Sequence, residues 1–310
     1  MAWLSNLLLV LANGAILFYF SELAFWARPR PGDTITGWLS TWLLYSLMGF
    51  ILLAVMQRFR VRHPAALFQA GALFGWLTEG VIVQTMYESF PLQISFTGLA
   101  WHTLISVMLG WYLLRKILLE NRPVKTILVS TLVGIGYGLW SLSWWVEEPE
   151  RITSPALFGS YILASTVMLA GAYWLYDRTA STPFRPPAWS LYLTGGLFLL
   201  YFVFVSVPSA PLAPVVLPPL LLVVFMTLNR NLRQESQPGL VTSLTGQVCW
   251  LNYLGVLFIA IAAWGIYAAA YELQLRLPTH WGVYLCTTPL GFILFVLSAW
   301  RIWRRKSTDG

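Results

Sequence analysis

The chain has 310 residues, of which 58% are hydrophobic and only 10% charged, with 19 Lys plus Arg against 12 Asp plus Glu. A soluble domain carries about 25% charge, and a disordered chain must be more polar still, so the composition excludes both. The formal charge of +7 comes without zinc-finger spacing or an aromatic–basic strand pattern. It therefore does not indicate nucleic acid.

A helix needs about 20 apolar residues to cross the hydrocarbon layer. Ten such segments follow one another. They are Trp3–Trp26, Ile35–Gln57, Pro64–Met86, Ser95–Leu114, Val124–Val146, Pro155–Tyr176, Pro187–Val207, Pro211–Leu228, Gly246–Tyr271 and His280–Trp303. The expected class is all-α: a polytopic membrane protein forming one domain over residues 1–310, divisible into halves 1–150 and 151–310. The first segment lacks a basic n-region and a small-residue cleavage site, so it reads as a retained helix. The seventh and eighth segments meet in Ser206-Val-Pro-Ser-Ala-Pro-Leu-Ala-Pro214. This stretch suits either a tight turn or a broken helix lining a cavity.

Basic residues concentrate on the cytoplasmic side of membranes. With the N-terminus placed in the cytoplasm, only Arg28, Arg30, Arg151 and Arg276 of the 19 basic residues fall outside. Every even-numbered loop is basic and every odd-numbered one is poor in Lys and Arg. Both termini are thus expected in the cytoplasm, with Arg115, Arg122 and Lys125 in an inner loop. The tail Arg301-Ile-Trp-Arg-Arg-Lys306 is suited to anionic lipid headgroups. The bacterial inner membrane is the expected location. Cys249 and Cys286 lie near opposite surfaces and cannot meet in a disulfide.

Ionisable groups within spans are costly and are functional candidates by default. Glu79, in Phe74-Gly-Trp-Leu-Thr-Glu-Gly, lies about 10 Å below the outer end of the third span at helical rise. His102 lies at similar depth on the fourth, which runs the other way. Equal depth on consecutive antiparallel helices suits a carboxylate–imidazole pair facing a shared outward cavity, and these two are the expected catalytic residues. Gly75, Glu79, Val83 and Met86 should share one helical face, and Leu99, His102, Ser106 and Leu109 another. Ser106 is placed either to orient His102 or to ease helix packing. The secondary candidates are Glu22, Tyr87, Glu88, His280 and Tyr284, all toward the outer side. Glu147, Glu148 and Glu150 read as a solvated acidic loop.

No His-Glu-x-x-His and no other metal spacing occurs. There is no phosphate-binding glycine loop either, since Gly134-Ile-Gly-Tyr-Gly138 sits within a span and reads as helix packing. No cofactor is expected. Three readings follow. In the first, a membrane enzyme acts on a lipid or isoprenoid-like substrate, with Glu79 and His102 trading a proton. In the second, a proton-coupled or cation-selective transporter of small molecules is built from five plus five helices. In the third, a non-catalytic subunit packs against lipid and a membrane-protein partner.

Overall fold

The computed structural model describes residues 2–181 and 183–305; Thr182 and the tail beyond Arg305, including Lys306 and Asp309, lie outside the described residues. The described chain is an all-α bundle containing ten helices long and apolar enough to span a membrane. They are α1 (Trp3–Trp26), α2 (Ile35–Arg58), α3 (Pro64–Ile82), α4 (Ile94–Leu119) and α5 (Pro123–Glu147). The second five are α6 (Pro155–Thr179), α7 (Ala188–Ser209), α8 (Ala213–Gln234), α9 (Trp250–Glu272) and α10 (Thr279–Arg304).

Local chemistry sets the helix starts. Pro64, Pro123 and Pro155 occupy first-turn positions, where a missing N–H costs nothing. The Thr34 hydroxyl accepts from Gly37 N at 3.0 Å, and the Ser154 hydroxyl from Leu157 N at 3.3 Å, as N-caps do. α3 stops earlier than its apolar run predicts. Gln84 adopts a left-handed conformation with φ 67°, and its side-chain amide donates to the Val81 and Ile82 carbonyls at 3.0 Å each. Those bonds satisfy carbonyls that the helix end leaves without partners. Met86 and Glu88 therefore do not continue the helical phase of Glu79. The proline-rich 206–214 stretch resolves as a turn. α7 runs to Ser209 and α8 restarts at Ala213, so α8 is a full-length helix with Pro218 and Pro219 inside it.

Hydrogen bonds at the two ends of the bundle show alternating loops on opposite faces. At one face Ser5 reaches Thr179 O, Arg115 joins Asp177 to Leu244 O, and Leu240 N donates to Val61 O. His63 there meets both Glu235 and Arg305. At the other face Arg28 pairs with Glu148 at 2.7 Å, and the Tyr267 hydroxyl donates to Thr153 O. Both ends of the described chain consequently share one face.

Four segments are wound as π-helix: Tyr19–Leu23 in α1, Thr78–Ile82 in α3, Ile94–Leu114 in α4 and Phe202–Ser206 in α7. Backbone bonds there span five residues, as from Val83 N to Thr78 O at 3.0 Å. Such wide turns are rare and cluster at functional sites. Here the four form a connected run, because α4 packs on α3 and on the π turn of α1, and the Ser206 hydroxyl of the α7 turn donates to Val81 O in the α3 turn at 2.7 Å.

Two apolar cavities flank this zone. The larger, of about 480 Å³, lies among α2, α3, α7 and α8 and runs from Arg58 to Val81. Leu191, Leu199 and Phe225 on its wall are also exposed on the bundle surface, so it opens sideways toward lipid. The second, of about 270 Å³, lies among α1, α2 and α6.

Candidate functional site: a buried carboxylate–imidazole relay

The π turn of α3 presents Glu79 and the π-helical α4 presents His102, and the two meet directly. His102 Nε2 lies 2.7 Å from Glu79 Oε1, with the residues 3% and 7% exposed. The other carboxylate oxygen accepts from the Thr85 hydroxyl, which the break at Gln84 turns back toward it. Phe74 stands edge-on to the imidazole at 5.6 Å.

The other ring nitrogen, Nδ1, lies 3.0 Å from the Ser21 hydroxyl on α1. That hydroxyl donates to Ser106 at 2.8 Å, and Ser106 in turn donates to Trp101 O at 3.5 Å. Each hydroxyl has one proton to give. With the Ser21 proton directed at Ser106, Nδ1 must be the donor to Ser21. The proton between Nε2 and Oε1 then has two places. On nitrogen it makes an imidazolium beside a carboxylate, and on oxygen a neutral imidazole beside a carboxylic acid. Both states leave the pair with no net charge, which suits a site without bulk water, where an unpaired charge is expensive.

The pair is in contact rather than facing across open space, and neither side chain lines either apolar cavity. The larger cavity meets α3 at Leu73, Leu77 and Val81, the face of that helix opposite Glu79. Between lie Gly80 and its neighbours Met86, Tyr87 and Leu217. Among the described residues no cluster of three His, Cys, Asp or Glu has metal-binding geometry. Cys249 and Cys286 are both free.

Comparison with known proteins returns no match to a family model, a curated protein or a solved structure. The site therefore rests on its own geometry.

The remaining candidates are dispersed. Glu22, next to Ser21, accepts from Trp26 Nε1 at 3.1 Å and from the Tyr45 hydroxyl at 3.4 Å, and pairs with Arg30 at 3.4 Å. The Tyr87 hydroxyl donates to Gly80 O at 2.8 Å and buttresses the π turn. Glu88 is exposed. His280 stands 3.8 Å from Glu147, and Tyr284 packs edge-on against Phe96 at 4.7 Å; neither belongs to the relay. Ser106 binds Ser21, not His102.

Residue types alone gave no reason to single out Ser21, Thr85 or Tyr45, since small hydroxyls are common in membrane helices. Two further corrections concern charge. Arg115 is not a loop residue: it is fully buried within α4, 3.2 Å from Asp177, with its guanidinium 3.7 Å from the Tyr176 ring centroid. Glu148 is not simply solvated, because it bridges Arg28 and Arg151 at 2.7 and 3.0 Å. Burial pushes the Glu148 carboxyl up, but the charges of Arg28 and Arg151 outweigh that and hold it below its ordinary value.

Proposed function

We propose that this integral membrane protein is an enzyme that performs acid–base chemistry on a lipid- or isoprenoid-like substrate, with Glu79 and His102 as the proton-exchanging residues. The observation carrying the reading is a buried, hydrogen-bonded carboxylate–imidazole pair on a helix whose opposite face lines an apolar cavity that opens to lipid. General acid–base catalysis requires a group able to give and take a proton near neutrality within hydrogen-bond reach of the substrate. The 2.7 Å contact lets one partner reload the other. The cavity has the size and lining of a small-ligand site, with Thr194 and Arg58 among its few polar wall residues. In this reading it holds the apolar chain. The reactive group reaches Glu79 past Gly80 once Leu217 and Met86 move aside. The termini face the cytoplasm, in accord with the distribution of basic residues, and a bacterial inner membrane is the proposed setting.

The near-complete burial of the pair supports a second reading, proton-coupled transport, in which the relay is an occluded carrier site. One experiment separates the readings. Glu79→Gln keeps size and hydrogen bonding but removes the titrating proton, and Glu79→Asp keeps the acid. Purified protein in detergent, incubated with membrane lipid extract and followed by mass spectrometry, should convert a lipid. The Gln variant should lose conversion and the Asp variant retain part of it. Full conversion in a stably folded Gln variant would overturn the assignment of Glu79. Substrate movement that appears only in sealed vesicles, with no conversion in detergent, would favour transport. Failure of the Gln variant to assemble, with neither activity in the parent protein, would favour a structural subunit.

A further inference from the structure

We propose that the larger cavity binds an anionic phospholipid from the leaflet at the face of the termini, with the lipid phosphate on Arg58 and one of its chains inside. The inference rests on the placing of an apolar chain in that cavity, and not on any proton transfer by Glu79 and His102.

The cavity is polar at one end and apolar at the other. Arg58 and Thr194 are the two polar side chains on its wall. Arg58 is the last residue of α2, on the face that carries the termini. The first turn of α7, which begins at Ala188, lines the same end through Leu191, and the positive end of that helix dipole favours an anion there. From Leu191 the wall continues to Phe202, about 16 Å along α7 at helical rise. Val81 and Leu217 close that far end with apolar groups. The sideways opening at Leu199 and Phe225 lets the second chain of a phospholipid stay in the bilayer.

Charge identifies the headgroup. Among the described residues Arg58 makes no ion pair and no hydrogen bond; its guanidinium stands 5.7 Å from the Phe59 ring centroid, a contact that occupies none of its N–H groups. The described carboxylates of this face are all engaged elsewhere: Glu235 with His63 at 2.9 Å, Asp177 with Arg115 at 3.2 Å and Glu120 with Lys125 at 2.6 Å. The guanidinium fork matches a phosphate, which it can hold through two hydrogen bonds. Thr194 lies three residues beyond Leu191, between the charged end and the apolar one. It is only 6% exposed, yet its hydroxyl has no hydrogen-bond partner among the described residues, whereas buried polar groups are ordinarily paired. A phospholipid places an ester carbonyl between its phosphate and its chain, where that hydroxyl can donate to it. The charge rule explains a basic residue at the depth of Arg58; it does not call for one on a cavity wall beside an unpartnered hydroxyl. With the phosphate on Arg58, the far end of the chain lies nearest Gly80. On the enzymatic reading the group acted on then belongs to the chain and not to the headgroup.

The test uses the full chain in detergent and a phosphatidylglycerol with a photoreactive diazirine at the end of one chain. Adducts are located by peptide mass spectrometry at subsaturating probe. The expected adducts lie on Val81, Phe202 or Leu217. Unlabelled phosphatidylglycerol should displace the probe, phosphatidylcholine should do so less well, and inorganic phosphate should not. Arg58→Gln should lower labelling about fivefold or more, and Arg58→Lys less. Gly195 lines the cavity with open space around its would-be Cβ, so Gly195→Leu should obstruct the chain without strain and suppress labelling. Gly136 is as open but lies on α5, away from the cavity, and Gly136→Leu should label like the parent. The glycine variants change no charge and guard against misfolding of the arginine variants. Undiminished labelling in Arg58→Gln or in Gly195→Leu would overturn the proposal. So would adducts confined to the Leu191 end, or equal competition by phosphatidylcholine or inorganic phosphate. Labelling as expected in a protein that converts no lipid would sink the enzyme reading and leave the site standing. Lipid conversion at parental rates in both Arg58→Gln and Gly195→Leu, with labelling undiminished, would do the reverse.

Discussion

Glu79 Oε1 and His102 Nε2 lie 2.7 Å apart on helices that run in opposite directions, 23 positions apart in the chain, and the turn between them is what brings them level. The break at Gln84 ends α3 early, and the short connection returns the chain at the depth from which it left. Because both groups are buried, each depends on the other. Losing one partner of a buried pair strands the remaining polar group at a cost of about 3–5 kcal/mol. Glu79→Ala and His102→Ala should each lower thermal stability in detergent sharply. The double variant should cost much less than the sum of the two. Strictly additive losses in this double-mutant cycle would mean that the two side chains do not interact in solution.

Arg115 and Asp177 should behave as a second such pair. Arg115 is fully buried, bonds Asp177 and Leu244 O, and stacks on Tyr176. Asp177→Asn leaves the guanidinium without its counter-charge, at a cost of several kcal/mol. Tyr253→Phe removes one hydrogen bond to Asp177 of 3.0 Å and should cost about 1 kcal/mol. Thermal unfolding should rank the parent above Tyr253→Phe and Tyr253→Phe above Asp177→Asn. Equal stabilities would argue that Arg115 finds another anion or water.

Much of this architecture is legible in the sequence, for a physical reason. The cost of exposing backbone to hydrocarbon makes span length and loop charge nearly sufficient to count helices, and each of the ten expected segments corresponds to a helix. Depth on adjacent spans was enough to pair Glu79 with His102. What helical phase could not supply was the set of wide turns at Tyr19, Thr78, Ile94 and Phe202. The break at Gln84 takes Met86 off the Glu79 stripe, and the π winding of α4 changes which of its residues share a face, where Ser106 meets Ser21. The charge rule also counts Arg115 as a loop residue, although it is a packed ion-pair partner. Sorting basic residues by membrane side carries no information on whether a given arginine is wet.

A close approach of α3 and α4 makes a separate prediction. A Cβ on Gly75 would collide with the Gly98 carbonyl, and backbone cannot rotate away as a side chain can. Gly75→Ala should push the two helices apart and loosen the Glu79–His102 contact. Gly171 has open space around its would-be Cβ. Gly171→Ala should be neutral or stabilising by up to about 1 kcal/mol, since alanine favours the helix. A Gly75→Ala protein as stable as Gly171→Ala would contradict this packing.

Orientation is tested by reporter fusions. With both termini in the cytoplasm, fusions at Arg60, Lys116, Arg178 and Arg233 should report inside and those at Asp33, Glu148 and Arg276 outside. A complete reversal would invert the protein in the membrane. A reversal confined to positions after Val207 would mean that α8 does not cross.

Acid should weaken the face opposite the termini through Glu148. Its carboxyl is held below the ordinary glutamate value because the attraction of Arg28 and Arg151 exceeds the opposing effect of burial. A group whose folded-state value is depressed binds protons more readily when unfolded. Its contribution to stability is therefore present above the unfolded value, about 4.3, and disappears as pH falls through the lower, folded value. Glu148→Gln should lower the unfolding temperature at pH 7 and make little difference well below pH ~4, where the parent protein has also lost the charge. Arg28 is nearly buried and Glu148 is about one-third exposed (7% and 31%), so salt should weaken the difference at pH 7 only in part. The measurement is the gap between the parent and Glu148→Gln melting curves across that range. A gap that stays constant from neutral to strongly acidic pH would show that Glu148 acts through packing and not through its charge.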